Sequence, residues 1–149
     1  MPALRPAVVL AVMLPLAGAN AYAVTCDNQV LPGGSACATT VSAGSAVNNT
    51  TIDNGATQKV SGSANASIVN SGGSQAVSRG GIATSTIVNL DGRQSVLSGG
   101  SAVGTVISGG TQYVSSGGVA VNTVVSSGGS FGVSKGGLAV GAVVSSGGL

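Results

Sequence analysis

Beyond residue 54, apolar and polar positions follow two short patterns that take turns along the chain. The first is Gly-Gly-x-Gln-x-Val, as at residues 72–77 and 109–114; the second is Gly-Gly-x-Ala-x-x-Thr-x-Val, as at 80–88 and 117–125. Side chains of an extended chain point alternately to opposite faces, so the Gln and the Val two residues later share one side. Each pattern therefore predicts a short strand run between glycine corners. Val60, Val77, Val96, Val114 and Val133 fall at equivalent positions. So do the apolar pairs Ile68 and Val69, Ile87 and Val88, Val106 and Ile107, Val124 and Val125, and Val143 and Val144. Alternation sends one member of each pair inward and the other to a corner or the outer face, and the sequence leaves open which.

The copies begin at residues 72, 91, 109, 128 and 147, in steps of 19, 18, 19 and 19, after a looser copy over residues 54–71. A fixed period of this size is the signature of a solenoid, in which no coil buries its column residues alone. Helical repeats are excluded, because each recurring glycine would cost a helix about 1 kcal/mol relative to alanine. The expected fold is all-β: a parallel β-helix, or β-solenoid, of about six coils of 18–19 residues. At strand spacing it makes a rod on the order of 30 Å long.

Residues 1–23 stand apart from this plan. Arg5 supplies a positive start, residues 7–16 an apolar run interrupted at Pro15, and Ala21, Tyr22 and Ala23 a small-x-small site, which together predict a signal peptide cleaved after Ala23. The apolar run is shorter than the roughly 20 residues of a membrane span. Residues 24–53 hold worn copies expected to form an N-terminal cap, and 54–149 the regular repeats. Cys26 and Cys37, with ten residues between them in an exported chain, are expected to close one small disulfide loop. Such a loop contributes about 2 to 3 kcal/mol.

Composition removes most chemistry. The 149-residue chain has no histidine, so neither a nucleophilic triad nor a Cys/His zinc site can be assembled. The part after Ala23 carries Lys59, Arg79, Arg93 and Lys135 against Asp27, Asp53 and Asp91, a net of 4 − 3 = +1, which is no footprint for nucleic acid. Asp53 and Asp91 are expected at equivalent corners two coils apart, about 10 Å along the rod, too far for the about 6.5–9.5 Å of an inverting glycosidase pair. The copies lack the aspartate of a calcium-binding β-roll and the lysine of a phosphate-binding loop. No enzyme, cofactor or metal is expected. Gln58, Gln75, Gln94 and Gln112, with Phe131 at the next step, are expected to stack as an amide ladder rather than to form a polar recognition stripe. Small polar corner residues recur, among them Ser78, Ser98, Ser115, Ser116, Ser126, Ser127 and Ser134.

With Gly-Gly-x-Gln-x-Val-Ser-x-Gly-Gly at 72–81 and 109–118, and Phe131 for Gln at 128–137, the chain resembles the passenger repeats of AIDA-type autotransporter adhesins, over residues 30–149. The resemblance implies export to the periplasm, passage through an outer-membrane translocator barrel, and a β-helical passenger displayed at the cell surface or released. It implies a function in adhesion, autoaggregation or biofilm formation, with self-association and host-cell or bacterial surfaces as partners. It also implies a heptosyltransferase that glycosylates repeat serines, for which Ser78, Ser115, Ser126 and Ser134 are the candidates. No ten-residue alternating strands with aromatic girdles occur in these 149 residues, so the expected match is to the N-terminal part of such a protein without its barrel. The alternatives are a truncated, non-functional passenger, a carbohydrate-binding or carbohydrate-processing β-helix, and an ice- or mineral-facing solenoid presenting Thr86, Thr105 and Thr123.

Overall fold

A computed structural model describes residues 30–31, 40–53 and 55–149, with only the backbone strand described for Val30 and Leu31. The cleavage site at Ala23 and both cysteines, Cys26 and Cys37, lie outside the described residues. The described residues form a parallel β-solenoid without a helix.

Each coil has three sides where the sequence suggested two runs. The Gly-Gly-x-Gln-x-Val pattern makes one strand, exemplified by Ser74–Val77, Arg93–Val96 and Thr111–Val114, and these stack as a six-stranded parallel sheet, the glutamine face. The second pattern bends in its middle and makes two. Ile82–Thr84, Ser101–Val103 and Val119–Val121 belong to a second six-stranded sheet, the alanine face. Ile87–Val88, Val106–Ser108 and Val124–Ser126 belong to a seven-stranded sheet, the valine face. The bend is a residue with positive φ: Asn49, Ala66, Ser85 and Asn122 take values of 52° to 55°, and Gly104 and Gly141 take 67°. Period-two reading ran through this corner because the residue there is as often Asn, Ser or Ala as Gly.

The register keeps like on like. Gln94 lies between Gln75 and Gln112, and Val96 between Val77 and Val114. Val60, Val77, Val96 and Val114 are fully buried. Val133, the fifth member of that column, is exposed in the last coil. Of the first four apolar pairs the second member is the inward one: Val69, Val88, Ile107 and Val125 are fully buried, while Ile87, Val106 and Val124 stand outside; in the last coil Val143 and Val144 are both exposed. A column of small side chains, Ala64, Ala83, Ala102 and Ala120, lines the alanine face from within. Fully burying one such valine contributes about 1.5 kcal/mol or more, and each does so only against its neighbours above and below.

The glycine pairs divide two tasks. The first glycine takes positive φ, as Gly117 does at 75°. The second has no room for a side chain: a Cβ at Gly118 would meet the carbonyl oxygen of Val96 at 2.6 Å. Corner lengths, not strands, absorb the irregular period. The corner between Val60 and Ser63 is two residues, that between Val77 and Ile82 four, so the step from Gln58 to Gln75 is 17 residues. Likewise three residues separate Ile107 from Thr111 where four separate Val88 from Arg93.

Candidate functional site

The interior is occupied by a polar column built from two faces. Gln75 Nε2 donates to Gln58 Oε1 at 2.8 Å, Gln94 Nε2 to Gln75 Oε1 at 2.8 Å, and Gln112 Nε2 to Gln94 Oε1 at 2.6 Å. Thr86, Thr105 and Thr123 reach the same oxygens from the valine side, donating to Gln75, Gln94 and Gln112 at 3.3, 3.0 and 2.9 Å. All seven residues are buried, so the glutamines form a ladder and not a recognition stripe. The same burial removes the ice- or mineral-facing reading, because those threonines point into the core. Phe131 replaces the glutamine above Gln112 and packs against the apolar clusters on both sides of the column. At the other end Gln58 Nε2, Thr50 Oγ1 and Ser67 Oγ find no hydrogen-bond partner.

Asp53 and Asp91 are not equivalent, contrary to expectation. Val69 and Val88 stack on Ile52, which places Asp53 in line with Asn70 and Asn89, whereas Asp91 continues the position of Gly72. The 17-residue coil causes the offset. Asn70 Nδ2 donates to Asp53 Oδ1 at 2.6 Å and Asn89 Nδ2 to Asn70 Oδ1 at 2.7 Å, a second ladder along the outside of one corner. Its sequence signal is an Asp and two Asn at steps of 17 and 19 residues. Among the described residues no three His, Cys, Asp or Glu side chains come together where a metal could sit. Tyr113 is 39 % exposed on the glutamine face and lies against Gly132 of the next coil, a single aromatic where a sugar groove needs several.

The candidate serines divide by corner geometry. Ser78, Ser126 and Ser134 are half-buried, and their hydroxyls donate to the carbonyl oxygens of Val60, Ile107 and Val114 in the coil before, at 3.2, 3.4 and 3.2 Å. Ser115 is half-buried at the position that Ser134 occupies one coil on. One residue further along this corner, Ser98 and Ser116 are exposed, each with its hydroxyl beside a glycine of the next coil, Gly117 and Gly136. The corner thus presents two exposed hydroxyls one coil apart, with Arg79 and Lys135 at the same position in the flanking coils.

Comparison with known proteins adds the family. Residues 60–110 match the family model described as "Adhesin of bacterial autotransporter system, probable stalk". Among solved structures, the chain is similar to one described as a TibC-catalysed, hyper-glycosylated TibA fragment, with 45% identity and a TM-score of 0.80. That likeness covers 83% of this chain and 47% of the other, so the chain spans about half the length of that fragment. The comparison with curated proteins finds no match. On motif, register and fold together, the repeats of this chain are similar to those of the AIDA-type autotransporter adhesins.

Proposed function

We propose that the chain serves as the exported stalk of an autotransporter passenger, acting in adhesion, autoaggregation or biofilm formation and carrying sugars on repeat serines. The observation that carries this reading is the rod itself: a glycine-cornered solenoid with a closed interior, which carries serine hydroxyls at one corner in successive coils, exposed at Ser98 and Ser116. A stalk needs stiffness and length without a cavity, and neighbour-by-neighbour stacking supplies both. The likeness to a hyper-glycosylated fragment supports the sugar part. Acceptors are proposed at Ser78, Ser115, Ser126 and Ser134, joined by the more open Ser98 and Ser116, with a heptosyltransferase as the modifying partner. Residues 1–23 act as the signal peptide, Cys26 and Cys37 fasten the start of the rod, and an outer-membrane barrel provides passage to the surface or the medium. The chain acts by contact and not by catalysis.

The test is the intact mass of the protein recovered from its native host, together with the cell fraction that holds it. Mass increments of whole heptose units on a product at the outer membrane or in the medium are expected. Unmodified chain confined to the cytoplasm or periplasm would overturn the reading.

A further inference from the structure

The amide ladder has a direction. Each glutamine donates through Nε2 to the oxygen of the glutamine one coil earlier, so the donors all point toward the N-terminal end of the rod. Gln112 Nε2 also reaches the threonine of that earlier coil, Thr105, at 3.2 Å. Gln58 is the first described member of the row. Its oxygen is taken by Gln75 at 2.8 Å, and reversing its amide would set two NH2 groups against each other, so its Nε2 faces the coil before.

The hydroxyl column on the valine side ends at the same level. Pairing of Thr51 with Ile68 and of Ile68 with Ile87 stacks Thr50, Ser67 and Thr86 in successive coils. Thr86 bonds the glutamine of its own coil, but Ser67 Oγ finds no partner, and neither does Thr50 Oγ1 one coil earlier. Two local differences cause this. The short corner between Val60 and Ser63 brings Ser67 only 67 − 58 = 9 residues after Gln58, where Thr86 follows Gln75 by 11. Serine also lacks the methyl group that Thr86, Thr105 and Thr123 carry. Thr50, Gln58 and Ser67 are each 0 % exposed, so bulk solvent does not satisfy them.

We propose that this point of the interior is a binding site for one water molecule, held by Gln58 Nε2, Thr50 Oγ1 and Ser67 Oγ. The chemistry selects water over other small occupants. A cation would meet the hydrogens of the Gln58 amide, and an anion would be buried without an opposite charge, since no charged side chain among the described residues is buried. Water accepts from the amide and from one hydroxyl while donating to the other, and about three bonds is the usual complement of a buried water. It needs room for about one probe sphere, roughly 10–15 Å³, which is the order of space that a serine leaves in place of a threonine. Bound there, it takes the part of the next glutamine oxygen and adds one rung to the ladder.

Nuclear magnetic resonance of the folded full chain tests this. Oxygen-17 relaxation dispersion counts waters held long enough to tumble with the protein. Wild type should hold one more than Ser67→Val, whose methyl groups take the space and whose hydroxyl is gone; Thr50→Val, which keeps the volume and removes one partner, should lose the same water. In nitrogen-15-labelled wild type the side-chain amide hydrogens of Gln58 should cross-relax with a long-lived water, while those of Gln94, bonded to Gln75, should not. This last measurement decides the matter even if neither variant folds. An equal count in wild type and a folded variant, no cross-relaxation at Gln58, or Gln58 hydrogens that exchange with solvent as fast as those of an exposed amide would overturn the proposal.

Discussion

Gln94 offers the sharpest probe of what holds the coils together. Its amide donates to Gln75 and its oxygen accepts from Gln112 at 2.6 Å and from Thr105 at 3.0 Å. Gln94→Leu keeps about the same volume and removes all three bonds. At about 0.5–1.5 kcal/mol net each, the loss is about 2 to 4 kcal/mol, of which the apolar side chain recovers part, leaving about 2 kcal/mol. Thr105→Val removes the bond to Gln94 and the one it accepts from Gln112 at 3.2 Å, about 1 to 2 kcal/mol. The Gln94–Thr105 bond is counted in both single variants, so the double variant should be less destabilised than their sum by about 1 kcal/mol. Urea titrations followed by far-ultraviolet circular dichroism, with the slopes compared, give the four free energies. If the two changes add to within about 0.3 kcal/mol, the column is a row of independent packed side chains and the ladder argument fails.

Two further substitutions address the corners. Gly118→Ala places a methyl against the Val96 carbonyl oxygen, with that of Leu97 also at 3.1 Å, and should destabilise by about 1–3 kcal/mol, read as a lower urea midpoint; an unchanged midpoint would mean that the corner yields. Ala66→Gly should raise the midpoint, since Ala66 holds φ at 52°, a strain of about 1–2 kcal/mol that exceeds the about 0.4–1 kcal/mol of added freedom in the unfolded chain; a lower midpoint would refute this.

Much of the architecture could be read from the sequence because the period forces equivalent residues into columns. Val77, Val96 and Val114 stack as their spacing indicated, and Gln75, Gln94 and Gln112 bond as an amide ladder should. What escaped were features set by residues at the bend. Ser85 and Asn122 do not announce a corner as a glycine pair does, so the second pattern reads as one strand run and gives no sign that Thr86 and Thr123 turn inward beneath the bend. The choice between Val124 and Val125 depends on the phase of the strand after that bend, which alternation alone does not set. Asp53 was misaligned with Asp91 because a corner two residues short is invisible where the copies are worn. For the serines, spacing marked the corner, but only geometry separates Ser134, bonded to a carbonyl, from Ser116, open to solvent.

The unequal corners carry a consequence for how the molecule comes into being. Since the strands keep register while corners differ by one or two residues, every hydrogen bond between coils joins positions about one coil apart. No segment waits for a distant one. Whichever end of the chain reaches its destination first can fold there, and its last strands then serve as the template on which the next coil condenses. A thread delivered a few residues at a time is thus converted to a rod at the rate of its arrival. Each added coil makes backsliding costlier, so growth of the fold itself can act as a ratchet.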